Sequence, residues 1–278
     1  MRVSVLVQRD TKWRYKMLLR YPGGKSRGPL SKRIVEIIKD NYSGGTFAEP
    51  FFGGGGITFY LLKEGVVDRL LINDFDLHLT HLWNLVIHEP RYLRKKVKAF
   101  NPSVHNFLKF KQMLLDDVSP HLGFEYLVVN RTSHAGRGVK AGPQGGLKQQ
   151  GKYKIDCRWN PDKLVAHIDE AHELLTSVKL SGNQCYCDSY YVFLERSDFY
   201  YFDPPYWDIG EEMYNISFTE RDHIYLYERL KTRRNWVLSY NNHKRVLDLY
   251  KSFDIEVTDT SGNGGHKKES EVIICNLT

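Results

Sequence analysis

The sequence is poor in cysteine, has no long apolar run and carries no internal repeat. Four cysteines, Cys157, Cys185, Cys187 and Cys275, are spread over 278 residues. That is too sparse for a disulfide framework in a chain of this size. Cys185 and Cys187 form a lone C-x-C, whereas zinc sites are built from C-x-x-C pairs. The expectation is four plain thiols and no metal. No apolar stretch approaches membrane-spanning length, and the opening MRVSVLVQRD lacks the apolar core of a secretory signal. The expectation is a cytoplasmic chain with no membrane partner. Two nucleotide-binding loops fit the spacing poorly. Gly53, Gly54, Gly55 and Gly56 do not complete G-x-G-x-x-G, because Thr58 stands at its last place. Lys25 lacks the P-loop glycine six residues upstream, where Leu19 stands.

What is present is positive charge, unevenly placed. The formal net charge is +7. Between Arg131 and Arg158 lie Arg131, Arg137, Lys140, Lys148, Lys152, Lys154 and Arg158 against one acid, Asp156. A local cationic excess of this kind suits an anionic partner. The same stretch, 130–161, is rich in Gly and Gln and lacks core-like periodicity, so it reads as a loop or hairpin ordered from outside itself. Arginine and glutamine there can read base edges, with Arg137, Gln144, Gln149, Gln150 and Arg158 as candidates. A solvated basic loop would look the same.

Either side of that stretch, short strands alternate with helices. SKRIVEIIKDNY (31–42) reads as a helix with Ser31 as its cap. TFAEPFFGGGG (46–56) is a strand and a glycine turn, and ITFYLLKEG a helix closed by Gly65. RLLIND (69–74) is a buried strand ending at Asp74, and 77–90 a helix stopped before Pro90. Helices follow through the basic region, with 162–178 strongly amphipathic. Later strands are VKLSGNQ, FYYF, NWVLSYN and EVIICNL. Such alternation predicts a parallel sheet with a middle insertion.

Two strand ends carry chemistry. Asp74 follows Gly53 by 21 residues, at the tip of the next strand. An acid so placed suits the ribose hydroxyls of a nucleoside ligand without a pyrophosphate. An ordinary βα turn contains the same features. In DFYYFDPPYW (198–207), four aromatics form a buried strand, and Pro204 and Pro205 stop it. Asp203 and the Pro204 carbonyl are then two acceptors for the hydrogens of an amine such as adenine N6, which sharpens its lone pair. Tyr206 offers a face for the base to stack on.

Six motifs in order give the chain a resemblance to the Dam-type (D12 class) DNA adenine-N6 methyltransferases. They are RYPGGKSR, EPFFGGGGITFY, LINDFDLHLTHLWNLV, FYYFDPPYW, FTERDHIYLYERL and EVIICN. The resemblance implies an α/β, Rossmann-like methyltransferase sheet over 1–88 and 179–278. It implies a mostly helical, hairpin-bearing target-recognition insertion over 89–178. It implies S-adenosylmethionine as cofactor, with Tyr21, Lys25, Glu49, Phe51, Gly53, Gly55, Asp74, Asp188 and Asp203 around it. Asp203, Pro204 and Tyr206 would act on the adenine. NRTSHAGRG resembles the start of the recognition hairpin, which places Asn130, Arg131, Arg137, Lys140, Gln144, Lys152 and Arg158 on DNA. The implied partner is double-stranded DNA, with a separate cognate restriction endonuclease as an optional companion and a monomer as the default. An enzyme acting on RNA adenine, cytosine N4 or a protein amide is the nearest rival. A DNA binder without catalysis is the more distant one.

Overall fold

Four aromatic residues in a row, Phe199–Phe202, form the strand beside Thr46–Glu49, and both are buried almost without exception. The computed structural model describes residues 17–20, 25, 28–208, 218–259 and 270–277. In chain order the elements are α1 (Pro29–Asn41), β1 (Thr46–Glu49), α2 (Gly56–Lys63), β2 (Arg69–Asn73), α3 (Leu77–His88), α4 (Pro90–Ala99), α5 (Val104–Leu115), α6 (Gly123–Thr132) and α7 (Pro161–Thr176). They continue as β3 (Lys179–Tyr186), β4 (Phe199–Phe202), α8 (Glu220–Leu230), β5 (Trp236–Asn241), α9 (Lys244–Leu249), β6 (Asp254–Asp259) and β7 (Ser270–Asn276). The sheet order is β3-β2-β1-β4-β5-β7-β6. β3, β2, β1, β4 and β5 run parallel, and β7 pairs antiparallel with both β5 and β6.

This is the α/β architecture expected, a Rossmann-like doubly wound sheet with an antiparallel edge. Its order reverses between β1 and β4, and ligands of such sheets bind outside the strand ends at that reversal. Phe47 pairs with Phe199 and Ala48 with Tyr200. The glycine turn after β1 and the Asp-Pro-Pro turn after β4 therefore leave the sheet side by side.

One helix begins elsewhere than its sequence suggests. Ser31 does not cap α1 but lies buried inside it, and the helix starts at Pro29 behind Gly28. Proline at the first position has its φ already set and gives up an N–H that would have had no helical partner. Asp76 does cap α3, accepting from the His78 and Leu79 amides.

Residues 89–178 enter between α3 and β3 as α4 to α7 plus a stretch of turns. No β-strand forms there. The chain instead doubles back through a single antiparallel bridge, Ser133 to Pro143, closed by His134 N–H to Gly142 O at 2.9 Å and Gln144 N–H to Thr132 O at 2.8 Å. Leu93, Phe107, Leu122 and Leu127 from this region share one buried cluster with Phe47, Leu70, Leu82 and Trp83.

Candidate active site

Asp203 lies just past the end of β4, where Pro204 and Pro205 prevent further strand pairing. Its Oδ1 accepts the Ser239 hydroxyl at 2.7 Å and faces the Lys25 ammonium at 3.1 Å. Ser239 in turn meets the Tyr201 hydroxyl at 2.9 Å. Lys25 is almost fully buried, and it also donates to the Tyr206 hydroxyl at 2.5 Å and lies 3.5 Å from Glu271. Tyr206 donates its hydroxyl hydrogen to Glu271. Asn241 grips the next residue at both ends, accepting from Trp207 N and donating to Trp207 O, each at 3.1 Å. Trp207 stacks on His223 with ring centres 4.3 Å apart. Burial lowers His223 to about 4, so its imidazole is neutral where Nδ1 meets the Tyr240 hydroxyl. Pro204 is buried, and none of the hydrogen bonds among the described residues uses its carbonyl.

The turn after β1 forms the opposite wall. Gly53 and Gly55 have φ of 49° and 69°, in the left-handed region where only glycine is comfortable. The Gly53 N–H points at Asp74 Oδ2 at 2.7 Å, and Asp76 N–H reaches Oδ1 at 3.0 Å. Burial pushes the Asp74 carboxyl up to about 7 against the pull of these amides. Asn73 ties three strand ends together. Its amide donates to Pro50 O and Asp188 O, each at 3.0 Å, and accepts from Asp188 N at 3.0 Å. Asp188 itself is exposed at the neighbouring strand end. Phe51 packs on Tyr190 with ring centres 5.2 Å apart, and the buried Tyr190 hydroxyl has no hydrogen-bond partner among the described residues. Glu49 differs from its neighbours in being fully enclosed. It accepts from Thr58, and burial, with Asp203 and Asp74 nearby, raises its carboxyl well above the ordinary range. Tyr21 lies outside the described residues.

In the insertion, the expected residues divide by exposure. Arg137, Lys140, Lys152 and Arg158 are exposed, and Gln144 is half-buried. Arg131 donates from Nε and Nη2 to Arg158 O at 3.2 and 2.8 Å. Burial, with the charges of Arg20 and Arg158, lowers it to about 10. Asn130 is not at the surface. Its amide accepts from Arg20 N and donates to Arg20 O, each at 2.9 Å. It therefore clips the insertion to the chain five residues before Lys25. Gln149 braces its own loop, donating to Gln144 O and Gly146 O and accepting from Ile155 N.

The sequence alone assigns no role to Ser239, Asn241, Glu271 or Asn73. For the first three a signal is present. Ser239 and Asn241 are polar residues two apart in the otherwise apolar strand WVLSYN, so they share one face. Glu271 opens EVIICN and sits opposite Asn241 in register.

A Rossmann-like sheet, a glycine turn with a strand-end acid and an Asp-Pro-Pro-Tyr turn at the switch point have the parts that a methyltransferase acting on a planar amine requires. The chain belongs to the D12 class N6 adenine-specific DNA methyltransferases, whose family profile matches residues 21–261. It is similar to the type II methyltransferase M.MjaIII of Methanocaldococcus jannaschii, 27% identical over 228 residues, 74% of each chain. It is also similar to the type II methyltransferase M1.LlaDCHI of Lactococcus lactis subsp. cremoris, 23% identical over 284 residues, 92% of this chain and 94% of that one. The protein is thus a transferase that methylates adenine N6 in DNA. Among the described residues no helix is long and apolar enough to cross a membrane, and no three His, Cys, Asp or Glu side chains gather as a metal site would require.

Proposed function

We propose that the crevice between the glycine turn and the Asp-Pro-Pro-Tyr turn binds S-adenosylmethionine and one adenine flipped out of duplex DNA. The cofactor supplies an electrophilic methyl group when bound. The residues present suit it. Asp74, half-buried and held by two amides, takes ribose hydroxyls, and the left-handed Gly53–Gly55 turn permits close approach to the backbone. Phe51, packed on Tyr190, offers an aromatic wall. Asp188 stands at the rim, and the buried Lys25 closes the near side. Glu49 acts from behind the wall, through Thr58.

The observation that carries the reading is the loading of Asp203. Ser239 and Lys25 both occupy Oδ1. Oδ2 and the Pro204 carbonyl are then the two acceptors for the N6 hydrogens. Drawing on both hydrogens withdraws the nitrogen lone pair from the ring and aims it at the incoming methyl. Tyr206 stacks on the flipped base, a contact of about 1–3 kcal/mol. Flipping is required because N6 is out of reach within the stacked duplex.

Residues 89–178 serve as the reading element on this proposal. Arg137, Lys140, Lys152 and Arg158 contact phosphates, and Arg131 and Gln144 are the less exposed members of the set. Asn130 positions this surface against the cofactor side. The type II names of the relatives favour a short recognition sequence and a separately acting endonuclease as companion, with the methyltransferase working as a monomer.

The test is methyl transfer from labelled S-adenosylmethionine to mixed-sequence duplex DNA, with nucleoside analysis and mapping of the modified sites. Label in N6-methyladenine within one short motif is expected, and Asp203→Ala should abolish it while cofactor still binds. Label confined to RNA or protein would overturn the duplex-DNA reading.

A further inference from the structure

Strands β5 and β7 hold the catalytic turn at three points. Ser239 bonds Asp203, Glu271 accepts from Tyr206, and Asn241 clamps Trp207. Glu271 does more than the other two. The Lys25 ammonium lies 3.1 Å from Asp203 and 3.5 Å from Glu271, so one cation is shared between two carboxylates. All three side chains are substantially enclosed, at 5%, 23% and 13% exposure for Lys25, Asp203 and Glu271. Charges in such a site are weakly screened and govern one another.

The sharing has two consequences. An ammonium given wholly to Asp203 would neutralise it and weaken it as an acceptor for N6 hydrogens. Glu271 draws part of that charge away. It also fixes the far end of the Tyr206 ring, which sets how a base can stack there. We propose that Glu271 is a positioning residue of the methyl transfer, acting through Lys25 on Asp203 and through the hydroxyl on Tyr206. The inference rests on the adenine reading given above.

Substitutions separate the two effects. Glu271→Gln keeps an acceptor for the Tyr206 hydroxyl and removes the charge. Glu271→Ala removes both, and Tyr206→Phe removes the hydroxyl alone. Each is measured for single-turnover methylation, for KM on duplex DNA, for thermal midpoint, and for fluorescence of 2-aminopurine placed at the mapped target position. Glu271→Gln is expected to lower kcat about tenfold or more, the scale of a lost charge-assisted contact. Its KM, thermal midpoint and 2-aminopurine signal should stay at the wild-type values. Glu271→Ala should also brighten the 2-aminopurine, as the fluorophore stacks less well on Tyr206. That brightening should shrink when Glu271→Ala is added to Tyr206→Phe, because contacting residues are not additive.

Wild-type turnover in Glu271→Gln would overturn the proposal. So would a kcat loss matched by a lowered thermal midpoint, which marks a structural role alone. A wild-type enzyme that methylates no DNA adenine would remove the underlying reading, and this inference with it. An active wild type with purely additive variants would remove this inference only.

Discussion

Ser239 donates to Asp203 Oδ1 at 2.7 Å from a hydroxyl that is wholly buried. Because Ser239 gives its hydrogen to Asp203, its oxygen is left to accept the hydroxyl hydrogen of Tyr201, also wholly buried. The acid is thus backed by a two-link relay that runs into the core. Ser239→Ala should lower kcat by about 10- to 100-fold, the equivalent of a hydrogen bond to a charged group. Tyr201→Phe should cost less, since it loses only the outer link. Single-turnover rates beside calorimetric cofactor binding decide this. A loss of cofactor affinity that accounts for the rate would refute it.

If Asp74 holds the cofactor ribose as proposed, cofactor binding should depend on pH near neutrality. Burial holds its carboxyl at about 7, and the ionised form is the better acceptor for ribose hydroxyls. A ligand that prefers the ionised form binds more tightly as pH rises through that value and levels off above it. The dissociation constant of S-adenosylmethionine should fall between about pH 6 and pH 8 in the wild type. Asp74→Asn should bind more weakly, with no such slope. Equal slopes in the two proteins would remove Asp74 from the ribose site.

Asn130 uses both ends of its amide on Arg20, so neither an apolar nor an acidic replacement can stand in for it. Asn130→Ala should cost about 1–3 kcal/mol of stability for two unmade hydrogen bonds. Asn130→Asp is nearly isosteric but turns an oxygen toward the Arg20 carbonyl, and it should fare no better. Denaturant titration measures both. Full stability in the Asp variant would mean that the clip is incidental.

Gly55→Ala should destabilise by about 2–4 kcal/mol, from a left-handed φ and an overpacked core. An added Cβ would lie 2.5 Å from the Phe52 ring and 2.7 Å from the Phe59 ring. The loss should appear in thermal unfolding without any ligand. Unchanged stability would show that both rings can move aside.

What the chain reveals on reading is local. The aromatic strand and its proline stop, the acid one strand beyond the glycine turn, and the family motifs are each written within a few residues. The partners that make those residues work lie far off in sequence. Ser239 is 36 residues from Asp203, Glu271 is 65 from Tyr206, and Asn130 is 110 from Arg20. The sheet order and the antiparallel pairing of β5 with β7 bring in the first two, while Asn130 meets Arg20 from helix α6, outside the sheet. Gln149 shows the opposite difficulty. A glutamine in a basic, glycine-rich loop suits a base edge, yet its backbone, at a φ of 50°, goes with a side chain bonded into its own loop. Chemical capacity is readable from the sequence, and direction is not.

The buried cluster shared by the sheet and residues 89–178 bears on how a specificity could be changed. A recognition element with its own core could be exchanged as a cassette. Here Leu93, Phe107 and Leu127 pack in one interior with Leu82 and Trp83 of α3. A graft that brought new DNA-facing loops on foreign helices would meet a mismatched α3 and open cavities against the catalytic sheet. If the insertion reads DNA as proposed, new target sequences are better sought at the exposed turns between Arg137 and Arg158, with the helices left untouched.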